Sequence, residues 1–230
     1  MITIIIPTYN EAAFIGPTLA RLRALSGEAV REVIVVDGGS TDGTLEEALE
    51  SGARVVRSMK GRAVQMNAGA AAATTDLLYF LHAETWPPED FAALIAAAVA
   101  KGAVAGCFRL SFDHDHWFLR MNCWFTRFDV QAFRYGDQSL FVRKDVFDAA
   151  QGYNERLIVF EDNEIVRRLK RSGPFKILSA SVRTSARKYI ENGVYRMQAI
   201  FYLMYFLYRA GCSQERLLRT YRKLITQDKL

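Results

Sequence analysis

Two polar, glycine-containing segments each follow a strongly apolar run. Pro7-Thr8-Tyr9-Asn10-Glu11 follows residues 2–6, and Asp37-Gly38-Gly39-Ser40-Thr41-Asp42-Gly43 follows residues 33–36. A ring at Tyr9 can stack on a base. A carboxylate at Asp37 can accept an imide N–H or ribose hydroxyls. Glycines 38, 39 and 43 permit turns and close backbone approach. The same residues also make good turns and caps, so spacing alone leaves both readings open. Asp113-His114-Asp115-His116 sets two histidines at i, i+2, as a metal site on a strand would. It lies in a loosely patterned stretch, however, and reads as a solvated loop.

The elements that must position these residues alternate along the chain. Apolar runs at 2–6, 33–36, 54–57, 77–81 and 104–112 are strand signals. Helical spacing at 11–25, 43–51, 61–73 and 87–100 separates them. Such alternation predicts an α/β fold with a mostly parallel sheet, whose ligands sit beyond the carboxyl ends of the strands. Both polar segments lie at such ends. A looser aromatic stretch over 113–134 comes next. A strand is predicted at 139–142, a helix at 161–171, a short strand at 176–178, and closing helices at 185–209 and 213–223. The aromatics Trp117, Phe118, Trp124, Phe125, Phe128 and Phe133 read as core or as cover for an acceptor site.

The chain has 230 residues, 50% hydrophobic and 24% charged, which is globular composition rather than disorder. Three cysteines at wide spacing argue against a disulfide framework or a zinc site and point to a reducing, cytoplasmic setting. The first residues read as a strand rather than a signal peptide, and no run reaches the ~18 apolar residues of a membrane span. Charge is uneven. Residues 1–165 hold 15 Lys+Arg against 22 Asp+Glu, whereas residues 166–230 hold 15 against 3, a balance of +12. The run AIFYLMYFLY at 199–208 is apolar around a whole helix and lies among basic residues. It suggests peripheral contact with the inner face of a membrane, a buried helix or a homodimer interface. No nucleic-acid signature accompanies the basic charge, so nucleic acid is not an expected partner. The glycines do not fit G-x-G-x-x-G, and G-x-x-x-x-G-K-[ST] does not occur, which sets aside dinucleotide-binding and P-loop chemistry.

PTYNEA after the first strand and VVDGGSTDGT after the second resemble a family 2 glycosyltransferase of the GT-A fold. Further segments match in order. They are Lys60-Gly61-Arg62 with Asn67 and Gly69; His82-Ala83-Glu84 at the place of an Asp-x-Asp metal motif; Gly136-Asp137-Gln138-Ser139; and Glu161-Asp162. The matches span residues 1–175. The pattern is similar to a small bacterial subgroup carrying His-Ala-Asp, Gly-Asp-Gln and Thr-Ser-Ala-Arg, named for radical-SAM/selenodomain-associated or arsenosugar-biosynthesis gene clusters.

The resemblance implies an inverting glycosyltransferase that uses a nucleoside-diphosphate sugar and a small or lipid-linked acceptor. It implies a catalytic domain over 1–180, with the helices of 181–230 packed on it. Asp162 would be the general base and Glu161 its companion. Pro7, Thr8, Tyr9, Glu11, Asp37 and Arg62 would hold the donor, and Asp137 and Gln138 the acceptor side. Glu84 would bind Mn²⁺ or Mg²⁺. His82 replaces the first acid of the metal motif and would face the nucleotide; its imidazole is soft enough to favour Mn²⁺. Two alternatives stay open: a nucleotide-sugar-binding protein without catalysis, and a nucleotidyltransferase.

Overall fold

The computed structural model describes residues 1–134 and 136–226. Strand β1 (Ile2–Thr8) is buried along all seven residues, as its continuous apolar sequence requires of a central parallel strand. It is flanked in parallel by β2 (Val30–Asp37) and β4 (Leu77–Phe80), with β3 (Arg54–Arg57) parallel beyond β2. Helices α1 (Ala12–Leu25), α2 (Thr44–Glu50) and α3 (Arg62–Ala72) connect these strands. Then come β5 (Thr85–Trp86), α4 (Phe91–Ala100), β6 (Ala105–Phe112), α5 (Trp117–Phe125), β7 (Leu140–Arg143) and α6 (Lys144–Ala149). The chain closes with α7 (Glu161–Ser172), β8 (Phe175–Thr184), α8 (Arg187–Asn192), α9 (Val194–Arg209) and α10 (Gln214–Leu224).

One eight-stranded sheet runs in the order β3-β2-β1-β4-β7-β6-β8-β5. The first four strands are parallel, as expected. Beyond β4 the sheet is mixed: β7 is antiparallel to both β4 and β6, while β6 and β8 are parallel. Alternate residues of β1 feed opposite cores. Ile4 and Ile6 pack with Ile15, Leu19 and Leu22 of α1 and with Phe91 and Ile95 of α4. Ile5 packs with Met66 of α3 and Ile165 and Leu169 of α7. Gly69 lets α3 lie directly on the sheet: a Cβ there would overlap Ile5 and reach 3.0 Å from Val36 Cγ2. A third core joins Leu119 of α5 and Val159 to Tyr189, Met197, Met204 and Tyr221 of α8–α10.

Several elements differ from the sequence reading for local reasons. Helix α4 starts at Phe91, because Pro87 and Pro88 form the turn that leads into it. The helix expected over 185–209 breaks into two at Gly193, which has φ 81°. Strand β8 has ten residues rather than three, since its alternating exposure places polar side chains among the apolar ones. The two-residue β5 and the short α6 carry no periodic signal. The Asp-His-Asp-His segment is the entry to α5. The ring of His116 accepts from Phe118 N, Asp113 accepts from Ala186 N, and Asp115 pairs with Arg120. Trp117, Trp124 and Phe128, read as core or cover, are exposed. In α9, Met197, Ile200 and Met204 are buried while Tyr202, Leu203 and Phe206 face solvent, so the helix is two-faced. Among the described residues no helix is long and apolar enough to cross a membrane.

Candidate active site

A cavity of about 440 Å³ opens at the carboxyl ends of β1 and β4. Pro7, Thr8, Tyr9 and Glu11 form one wall. The first turn of α3, from Gly61 to Gln65, forms the next, with His82 and Glu84 below. Arg187 and Lys188 of α8 and Leu218, Tyr221 and Arg222 of α10 close the far side. The two polar loops are tied to each other. Asn10 N donates to Ser40 Oγ and Thr41 N to Asn10 Oδ1, while Asp42 and Thr44 accept from the backbone N–H groups of Ala12 and Glu11. Asn10 (φ 55°), Ser139 (φ 50°) and Phe160 (φ 66°) adopt left-handed conformations directly beside the site segments. Such strain persists only where surrounding contacts hold it.

Two groups of charges face this cavity. In the first, Arg187 reaches across from α8. Its two terminal nitrogens lie 3.3 and 3.2 Å from the two oxygens of Glu11, and its Nε lies 2.8 Å from Glu84 Oε2. Burial pushes the Glu84 carboxyl up, and Arg187 pulls it down by less, so it titrates above its ordinary range. Glu84 Oε2 is buried without a well-aligned hydrogen bond.

The second group lies deeper. Arg62 Nε is 2.7 Å from Glu161 Oε1, and Glu161 is fully buried at the start of α7. Burial, opposed by Arg62, raises the Glu161 carboxyl to about 7. His82 Nδ1 meets Asp137 Oδ1 at 3.0 Å. Burial disfavours the imidazolium, but Asp137 outweighs it, so His82 is raised and Asp137 is held low. Asp162 packs against Gly136, where a Cβ would overlap its carboxylate and lie 3.1 Å from His82 Cε1. A side chain at 136 would push the Asp162 carboxylate from this position.

The expected site residues therefore divide. Pro7, Thr8, Tyr9, Glu11, Arg62, His82 and Glu84 share the cavity wall. The Thr8 hydroxyl is spent on Val36 O. Asp162 and Gln138 lie off that wall, on a narrow pocket behind His82 with Gly136 and Tyr153. Gln138 Nε2 donates to Phe108 O. Asp137 touches the cavity through His82. Asp37 is buried and accepts from the backbone N–H groups of Gly39 and Ser40, so its carboxylate shapes its own loop. Asn67 likewise holds a loop, bonding both the N–H and the C=O of Tyr153.

The sequence matches the profile of Glycosyl transferase family 2 over residues 3–158. The chain belongs to this family. It is 32% identical over 129 residues to the undecaprenyl-phosphate 4-deoxy-4-formamido-L-arabinose transferase of Aeromonas hydrophila, covering 51% of this chain and 39% of that one. It is 46% identical over 67 residues to the glycosyltransferase AglJ of Haloferax volcanii, covering 28% and 21%. The chain thus spans well under half the length of these curated relatives. Among solved structures it resembles the mannosyltransferase PcManGT of Pyrobaculum calidifontis in complex with GDP-Man and Mn²⁺ (TM-score 0.70, 16% identity, 96% and 68% covered). It also resembles glucosyl-3-phosphoglycerate synthase of Mycobacterium tuberculosis in complex with Mn²⁺, UDP and glucosyl-3-phosphoglycerate (TM-score 0.63, 18% identity, 92% and 80% covered). At these identities the structural likeness establishes the fold.

In this family 2 protein, sequence reasoning passed over four cavity cations, Lys60, Arg187, Lys188 and Arg222. Arg187 stands in the Thr184-Ser185-Ala186-Arg187 segment, 176 positions from its partner Glu11. Its sequence signal was that segment, although its pairing is tertiary. Lys60 sits with Nζ 4.0 Å from the centroid of the Tyr9 ring, covering one face of the ring expected to stack on a base.

Proposed function

We propose that this chain is an inverting glycosyltransferase, with residues 1–180 as catalytic domain and 181–230 packed on it. It would move a sugar from a nucleoside diphosphate to the hydroxyl of a small or lipid-linked acceptor. One observation carries the reading: Arg62, Arg187, Lys60 and the first turn of α3 converge on one cavity with Glu84, beside the partly buried His82–Asp137 pair and Asp162. Helix N-termini and arginines suit phosphate oxygens. Tyr9, Pro7, Thr8, Glu11 and the loop shaped by Asp37 take the nucleoside side.

The donor set fits a hard divalent cation. Glu84 offers a buried carboxylate oxygen with no aligned hydrogen bond, and such ions are commonly held by one carboxylate plus substrate phosphates. Mn²⁺ or Mg²⁺ would be held by Glu84, and when bound it supplies positive charge to the leaving diphosphate. With Nδ1 committed to Asp137, His82 keeps Nε2 for the nucleotide side. Arg187, once parted from Glu84 and Glu11, would pair with diphosphate.

Asp162 takes the proton of the acceptor hydroxyl as the bond from that oxygen to the anomeric carbon forms and the bond to diphosphate breaks on the opposite face. Glu161, clamped by Arg62, fixes the start of α7 and so the position of Asp162. Asp137 and Gln138 shape the acceptor side through His82 and the backbone of Phe108. The Thr-Ser-Ala-Arg segment, whose arginine closes on Glu84, supports the narrower resemblance to the radical-SAM/selenodomain or arsenosugar-associated subgroup.

Screening UDP-, GDP- and TDP-sugars with Mn²⁺ or Mg²⁺ by thermal shift, followed by assay of diphosphate release, tests the proposal. A donor that raises the melting temperature in the presence of metal and is then consumed supports it. A second reading, donor binding without transfer, is favoured by histidine in place of the first metal-motif acid. Metal-dependent stabilisation with no release from any donor would establish that reading instead. A nucleotidyltransferase is disfavoured by Pro7-Thr8-Tyr9-Asn10-Glu11 where a glycine-rich phosphate loop would follow β1.

A further inference from the structure

Large exposed apolar side chains are not scattered over this molecule. Nine of the fifteen among the described residues lie within residues 117–130 and 195–206. On α5, Trp117, Met121 and Trp124 fall at i, i+4 and i+7, so they share one helix face, and Phe128 continues it. On α9, Tyr195, Tyr202 and Phe206 fall at i, i+7 and i+11, again on one face, with Phe206 69% exposed. The two faces join. Tyr202 Oη donates to Asn122 Oδ1 at 2.7 Å, and the Tyr195 ring lies 5.0 Å from Phe118 and 6.4 Å from Trp117. Contiguous apolar surface of this kind on a soluble fold marks an interaction site.

The charges around the patch choose its occupant. Exposed Arg127 lies on it, with its guanidinium 4.6 Å from the Trp124 centroid, and exposed Arg196 and Arg209 lie on α9. The nearby acids are already paired, Asp115 with Arg120 and Asp129 with Lys170. Residues 166–230 carry a balance of +12. In a two-fold dimer the same patch meets itself, which gathers both sets of arginines into one interface. An anionic bilayer surface neutralises them instead. Tryptophan and tyrosine, with an apolar body and a polar edge, are the residues that settle at the headgroup boundary. We propose that the α5–α9 face is a peripheral membrane-binding surface that lies on anionic lipid without crossing it. The inference is independent of the sugar-transfer reading.

Sedimentation with vesicles of phosphatidylcholine containing phosphatidylglycerol, against phosphatidylcholine alone, tests it at low and high salt. The protein should sediment with the anionic vesicles at low salt and be released at high salt, because the attraction is screened. Trp124→Ser with Phe206→Ser should lower partitioning by at least about tenfold. The melting temperature should stay the same, since both side chains are exposed. Arg127→Gln with Arg209→Gln should lower partitioning by roughly fivefold per charge. Failure to sediment with anionic vesicles at low salt overturns the proposal, as does binding to both vesicle types that salt does not change. A dimer in light scattering that the Trp124/Phe206 variant abolishes, without vesicle binding by the parent, assigns the face to a second copy and also overturns it.

Discussion

The two charge groups facing the cavity are built differently. Glu11, Glu84 and Arg187 come from the ends of β1, β4 and β8, and their side chains keep 14%, 16% and 20% of their surface open. Glu161 keeps none, although its partner Arg62, at the start of α3, keeps 37%. The first group can exchange partners when an anion or cation arrives, at little cost in rearrangement. The second is anchored by Glu161, which has no open side, and its geometry is set by the strained Phe160 before α7 and by the close approach of Gly136 to Asp162. Binding and chemistry are thus separated in space, with an exchangeable latch at the mouth and a preorganised cluster behind His82.

The largest effect should come from the fixed cluster. Asp162→Asn preserves shape but cannot accept a proton. Transfer should fall by at least about 10²-fold, with donor affinity and melting temperature nearly unchanged. Asp137→Asn should cost less. If Asp162→Asn works at the parent rate, the base lies elsewhere.

The latch should respond in affinity rather than rate. Arg187→Met removes a charge-assisted contact, so nucleoside diphosphate affinity should weaken by roughly tenfold to a hundredfold in calorimetry. It also takes the nearest cation from Glu84, leaving only the weaker influence of Lys188. The free protein should melt lower, and adding Glu84→Gln should restore part of that loss. A melting temperature unmoved by Arg187→Met would show that the latch contributes nothing to the free state.

Glu161 offers a pH test. Its carboxyl is raised from 4.5 to about 7 by burial. The folded state therefore binds more protons than the unfolded one between those values. Stability due to this group is present below about 4.5 and lost as pH rises through about 7. Glu161→Gln should flatten the fall in melting temperature over that window. An unchanged slope would mean that Arg62 keeps Glu161 ionised throughout. The smallest effect is expected at Lys60→Met, which removes a cation–π contact on Tyr9 and should change donor affinity by no more than about fivefold.

Much of the first half was legible because its signals are local. The buried run 2–8, the turn residues of the two polar loops and the helical spacing of α1 and α3 each point to one answer. The second half was less so. The antiparallel insertion of β7 depends on which strand edge is free, which no local pattern records. Arg187 meets Glu11 and Glu84 only after the whole chain has folded. His82 and Asp137 are 55 positions apart, so their roles could be guessed from segments but not their pairing. Asp37 and Gln138 show the converse. Their residue types suit ligands, yet backbone groups already occupy them, and spacing cannot reveal that.

Calorimetric titration of UDP and GDP, with Mn²⁺ or with chelator, on the parent protein and on Glu84→Gln addresses the donor site itself. At least one nucleotide should bind the parent at least about tenfold more tightly with metal, as a charged contact contributes, and Glu84→Gln should remove most of that difference. Equal affinity with metal and with chelator in the parent would contradict the assignment of Glu84 and of the cavity around it.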